Sequence, residues 1–188
     1  QDVEEALAAL NQGRKVLFSP KMSYLKGLEG KFLPVFWSPV HFPKQAGTMG
    51  LLCNPRHAAL RHFPTEMHSN WQWWNLVKRS KVLVADSLPP VEPIVESVDN
   101  FTNNRKLVSV FETRCGKGKL IVSAMDILSE GSDKPEIQQM LYSLVTYMNS
   151  ESFAPRTMLG EEDIRSLILK NEGKVIETKA TSIYRGLD

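Results

Sequence analysis

Apolar residues recur at helical spacing in the opening positions of this chain and again after Pro135, and at strand spacing in the runs between. Asp2-Val3-Glu4-Glu5 reads as a capping box opening a helix whose Val3, Leu7 and Leu10 share one face, with Gly13 as its stop. Lys15-Val16-Leu17-Phe18-Ser19-Pro20 follows as a short buried strand closed by a proline. Helix, glycine and brief apolar strand in succession make the connection of a layered α/β protein.

Residues 21–67 break the pattern. Pro34, Pro39, Pro43, Pro55 and Pro64 exclude long helices, yet Phe32, Leu33, Val35, Phe36 and Trp37 are too apolar for a solvated linker. Long ordered loops on the sheet edge, with one or two short strands, are expected. A helical segment covers Ser69 to Lys78, and Lys81-Val82-Leu83-Val84-Ala85-Asp86 reads as a buried strand ended by Pro89-Pro90. Val91 to Val98 alternates around Pro93; proline cannot donate to a ladder, so an edge strand is expected.

The strongest local signal is a hairpin. The β-rich runs 106–114 and 119–125 flank Cys115-Gly116-Lys117-Gly118, whose glycines accept the positive φ of a tight turn. Leu107 beside Val108, and Ile121 beside Val122, put apolar groups on both faces. A sheet buried on both sides needs a layer above and below, which predicts a three-layer α/β sandwich. Pro135 starts an amphipathic helix in which Ile137, Met140, Leu141, Leu144, Val145 and Met148 keep helical spacing. From Ser150 the composition turns polar, with a modest helix expected over 161–170 and a short strand over 174–179. The organisation read from this is an α/β domain over residues 1–150 and a C-terminal arm over 151–188, packed on the domain or reaching a neighbour.

With 188 residues, 42% of them hydrophobic, the chain suits one domain plus an arm and needs no disulfide or metal staple. The apolar content excludes general disorder. Its 23 basic and 21 acidic side chains leave a net charge of +2, too little for an electrostatic footprint toward nucleic acid or acidic lipid, so neither is expected as a partner. No apolar run approaches the ~20 residues of a membrane helix. Gln1 is not an initiator, no signal peptide follows it, and a helix opening this abruptly is expected of a piece of a longer polypeptide.

Nucleophilic chemistry finds little support. A cysteine nucleophile of α/β type sits on a G-x-C-x-G elbow with a histidine base. Cys115 lies in the hairpin turn, and Pro55 interrupts the pattern around Cys53, so both are expected as buried apolar fillers. No G-x-S-x-G occurs. His41, His57, His62 and His68, at spacings of 16, 5 and 6, give no metal-binding helix face, and no metal or other cofactor is expected. Gly116-Lys117-Gly118-Lys119 lacks phosphate-loop spacing and reads as a turn. Asn100-Phe101-Thr102 fits a glycosylation acceptor, a match expected once by chance. Glu66, Asp86, Glu112 and Asp126 sit near element ends; Asp86 and Asp126 follow strands, where open α/β sheets place ligands, although a cap on the next loop is the simpler role.

The most unusual feature is His68-Ser69-Asn70-Trp71-Gln72-Trp73-Trp74-Asn75-Leu76. At about 100° per residue, Trp73, Leu76 and Val77 share the core face of a helix, while Trp71 and Trp74 lie together at its side. Flat rings with N–H handles stack on sugars, so Trp71, Trp74, Asn70 and His68 are the candidate carbohydrate contacts; cover by the proline-rich loops, another domain or a subunit competes with that reading.

The first helix, Gly13-Arg14-Lys15-Val16-Leu17-Phe18-Ser19-Pro20, Val35-Phe36-Trp37-Ser38-Pro39, Gly47-Thr48-Met49-Gly50-Leu51-Leu52, the stretch His57 to Glu66 and Trp71-Gln72-Trp73-Trp74 come in an order that resembles an accessory domain. That domain occurs in β-galactosidase-like enzymes of glycoside hydrolase family 2 in polysaccharide-degrading bacteria. The hairpin from Phe111 to Val122 and the helix after it are similar to the end of class I glutamine amidotransferase-like, flavodoxin-type domains. Together the resemblance spans residues 5–150 and implies a flavodoxin-like sheet with a C-terminal hairpin. No position matches the amidotransferase cysteine elbow or histidine–glutamate pair, so the implied fold comes without that activity. Family 2 hydrolases keep their catalytic carboxylates on a (β/α)₈ barrel, for which this chain has no room, so no catalytic residue carries over. The resemblance thus implies a non-catalytic accessory domain, partnered by other domains of its polypeptide, a second copy or carbohydrate, and placed in the periplasm or outside the cell. Two other classes stand beside it: a small hydrolase using Asp86, Asp126 and the His57–His68 loop, and a stand-alone carbohydrate-binding module using Trp71 and Trp74.

Overall fold

The computed structural model describes residues 2–30, 48–100, 103–129 and 133–169. Asp2 accepts the Glu4 N–H at 2.7 Å to cap α1 (Val3–Asn11), and Gly13 takes φ +80° just beyond it. The buried face of α1 is Ala6, Leu7 and Leu10, with Val3 packed at its rim. Then come β1 (Lys15–Phe18), β2 (Leu28–Glu29), β3 (Thr48–Cys53) and a 3₁₀ turn over Trp71–Trp73 that runs into α2 (Trp74–Lys78). The remainder is β4 (Lys81–Val84), β5 (Glu92–Asp99), β6 (Leu107–Cys115), β7 (Gly118–Ser123), α3 (Pro135–Asn149) and α4 (Glu161–Ser166). The expected motif at 35–39, His41, the aromatic run 32–37 and the strand at 174–179 lie outside the described residues.

The chain is an α/β protein built on a mixed sheet. β3, β5, β6 and β7 form an antiparallel succession, β1 joins β7 in parallel, and β4 pairs antiparallel with β6 ahead of β7, carrying β2 on its far edge. Along β7 and just past it the side chains divide: Leu120, Val122 and Ala124 enter a core with α1 and α4, while Ile121 enters a core with α2 and α3. The hairpin turns where predicted, with Gly116 at φ +56°. Gly118 opens β7 under α1, and a Cβ there would fall 2.5 Å from the Arg14 carbonyl oxygen.

Two expectations are corrected. β5 is an interior strand, paired with β3 and β6. Pro93 is accommodated because β3 reaches only Val95 and because Ile94 is an extra residue against β6, so the ladder is interrupted where the N–H is missing. In α3, Val145 is exposed and Tyr147 is buried in its place, turning the apolar face toward Ser143 and Tyr147. The described part of the arm, through residue 169, contributes side chains to both cores. Phe153 packs with α3, while Leu159, Ile164 and Leu167 pack with α1. Arg114 donates to Thr157 and accepts from Leu159, both at 2.9 Å, and Lys119 Nζ donates to the Phe153 carbonyl at 2.7 Å.

Phe153→Ala removes a fully buried ring, and we expect it to destabilise the whole domain by about 3–5 kcal/mol in a single unfolding transition. Denaturant unfolding followed by circular dichroism measures this; a loss below about 1 kcal/mol would return the segment after Ser150 to the status of an appendage.

Candidate functional site

The helical turn that carries the tryptophans sorts them as their spacing requires. Asn70 accepts the Gln72 N–H at 3.2 Å and starts the turn; Trp73 is fully buried, edge-on to Phe63 with ring centroids 4.9 Å apart. Trp73 Nε1 donates to Thr65 Oγ1 at 2.9 Å, which satisfies the indole inside the core. Trp71 is 84% and Trp74 41% exposed, and their rings lie 5.8 Å apart at 50°. Lys78 Nζ sits 5.5 Å from the Trp74 ring centroid, a cation–π contact at one side of the pair. Asn70 is exposed beside them. His68 is exposed too, but its imidazole lies 3.2 Å from Glu66, and its backbone bridges Leu52 of β3.

The remaining candidates are placed apart. Asp86 accepts the Lys106 N–H, so it braces a loop. Asp126 binds Arg79 at 2.9 Å, accepts the Ser129 N–H and bonds the Ser129 hydroxyl. His57 Nδ1 accepts the Ala59 N–H to cap a 3₁₀ turn (Ala58–Leu60), and its ring meets Tyr147 edge-on at 5.5 Å. Burial lowers the His57 pKa, keeping the imidazole neutral at pH 7. His62 meets Tyr142 edge-on at 5.3 Å. Among the described residues, therefore, neither aspartate shares a hydrogen bond with a histidine, and no three His, Cys, Asp or Glu side chains are grouped to hold a metal ion. No described helix is long and apolar enough to cross a membrane.

Both thiols are free and buried, in the two separate cores. Burial pushes Cys53 up to about 12 and raises Cys115 as well, where Glu161 and Asp163 add to the effect. A thiol in that state is a poor nucleophile.

Two groupings were not visible in the sequence. Glu112, only 3% exposed in β6, accepts the Tyr147 hydroxyl at 2.7 Å and stands directly across the ladder from Glu92, which Arg156 binds. Burial raises the Glu112 pKa, and the neighbouring Glu92 adds to it against the Tyr147 hydrogen bond. The second is a cavity of about 350 Å³ in the 55–65 loop, with Arg56 and Arg61 on its wall. A pair of arginines flanking a histidine-capped turn was its sequence trace, but nothing in the spacing said the loop closes on itself.

Residues 1–169 match the family described as Domain of unknown function (DUF8487), and the chain belongs to that family. No curated protein matches the chain.

Two outcomes follow from the buried groups. Ellman's reagent should leave both thiols of the native protein largely unmodified and titrate two per chain after denaturation; prompt labelling of either under native conditions would contradict the burial. Glu112 holds its proton more tightly folded than unfolded, so its contribution to stability is complete below its ordinary value of 4.5 and is lost as pH rises through the raised folded value. Stability of Glu112→Gln relative to wild type should therefore improve from pH 4 to pH 7; an unchanged difference across that range would refute the shift.

Proposed function

We propose that this member of the DUF8487 family is a non-catalytic accessory domain of a β-galactosidase-like glycoside hydrolase and contacts carbohydrate through Trp71 and Trp74. Its architecture in this reading is the flavodoxin-like, amidotransferase-type sandwich of three layers. The single observation that carries the functional reading is the exposed, tilted Trp71–Trp74 pair. Two large rings held at a fixed angle on a capped turn cost free energy in water unless something apolar covers them. The apolar face of a pyranose matches one such ring, and the indole N–H and the Asn70 amide supply polar complements at its edge.

The resemblance of the loop motifs to family 2 hydrolases supports the carbohydrate context. The two apolar cores and the parallel β1–β7 ladder beside an antiparallel hairpin support the layered fold. A second role, packing against another domain of the same polypeptide, is favoured by Leu52 and Val98, exposed on adjacent strands β3 and β5.

Titration with galacto-oligosaccharides should change tryptophan fluorescence, and Trp71→Ala and Trp74→Ala should each weaken binding about tenfold, worth about 1.4 kcal/mol. The same chain should leave chromogenic β-galactosides uncleaved. A wild-type protein that ignores oligosaccharide at millimolar concentration, or that hydrolyses a glycoside through one of its own carboxylates, would overturn the proposal.

A further inference from the structure

The cavity in the 55–65 loop differs from the tryptophan face in charge. Arg56 and Arg61 line it, and among the described residues its lining holds no carboxylate. Both arginines are exposed and neither has an acidic partner among the described residues. Glu92, the carboxylate that acts on His57, is already bound by Arg156. The lining also offers the Thr65 hydroxyl and, at Leu60 and Pro64, apolar surface. An unpaired guanidinium presents a planar fork of donors suited to an oxyanion.

The loop is fixed before any ligand arrives. Ser143 Oγ of α3 donates to the Ala59 carbonyl at 2.6 Å and accepts the His62 N–H at 3.1 Å; Gln139 Nε2 donates to the His62 carbonyl. On the other side, Gln72 Nε2 donates to the Pro64 carbonyl at 2.7 Å and Trp73 Nε1 donates to Thr65. Gln72 is the residue between Trp71 and Trp73, so the cavity wall is bonded to the same turn that presents the exposed tryptophan.

We infer that Arg56 and Arg61 form an oxyanion subsite adjoining the Trp71–Trp74 face, and that the glycan the domain takes carries acidic sugars, with a carboxylate or a sulfate ester. This rests on the carbohydrate reading above and specifies its substrate class. The ring of such a sugar stacks on tryptophan while its neighbour's anionic group enters the arginine cavity. Neutral glycans engage the tryptophans alone.

Calorimetric titration of the chain with oligogalacturonate, with a sulfated galacto-oligosaccharide and with a neutral galacto-oligosaccharide of equal length tests this. At least one acidic ligand should bind tenfold or more tighter than the neutral one, and which one does so identifies the anion. Arg56→Gln and Arg61→Gln should each weaken that ligand about tenfold and leave neutral binding unchanged, while Arg56→Lys keeps the charge and part of the affinity. Both arginines are exposed, so unchanged thermal unfolding in each variant confirms that the comparison is between folded proteins. Equal affinity for acidic and neutral ligands, or indifference to both glutamine variants, overturns the subsite and spares the tryptophan reading. Failure of all three ligands to bind overturns both.

Discussion

Enclosure of β6 on both faces and both edges is the constraint on which the rest of the structure depends. Every residue from Leu107 to Cys115 except Arg114 is buried. A strand so placed must have its peptide groups satisfied by neighbours, because a buried N–H or C=O without a partner costs about as much as a lost hydrogen bond. β5 lines one edge, and β4 followed by β7 shares the other. Its side chains also need cover on both sides, which draws α1 and α4 to one face and α3 to the other. Two bulges adjust the fit: Ile94 is extra on β5 and Ser109 is extra on β6, so the register recovers after two residues. Ser109 reverses the alternation, sending Val110 toward α3 and Val108 and Phe111 toward α1. The buried hydroxyls of Ser97 and Ser109 bond each other at 2.7 Å, so the irregularity leaves neither stranded.

Signals confined to a few residues were legible in the sequence. The helix cap at Asp2, the hairpin turn at Gly116 and the division of Trp73 from Trp71 and Trp74 all follow from local backbone geometry or one helical period. What failed depended on neighbours distant in sequence. Pro93 constrains only its own missing N–H, and the bulge at Ile94, set by the partner strand, absorbs that defect inside the sheet. Phe153, Leu159, Ile164 and Leu167 follow no single period, because the backbone around them is mostly irregular, so a polar composition concealed four core residues. Val145 kept perfect helical spacing and still faces water, while the same helix buries Ser143, whose hydroxyl bonds the 59–62 loop.

The site was half legible for the same reason. Sequence placed the two tryptophans beside each other, off the face that Trp73 buries, and left their cover open; both are exposed. The Glu112–Tyr147 bond joins residues 35 positions apart, and the cavity at Arg56 and Arg61 exists because α3 holds a loop far upstream. Neither had a local signature. His68, grouped with the tryptophans by adjacency alone, pairs instead with Glu66.

Reactive chemistry demands a group that is at once poised and reachable. Glu112 and the thiols have shifted acidity but are enclosed, Asp99 is locked by Arg105, and Asp126 is held by Arg79 and Ser129. Trp71, Trp74, Arg56 and Arg61 are accessible, and in the reading proposed above they recognise and do not transform. They lie on a segment, residues 55–74, with little regular structure of its own, yet bonds to α3 and within the segment fix it. Such a segment loses little conformational freedom when it binds, and that preorganisation is what recognition by a few contacts requires.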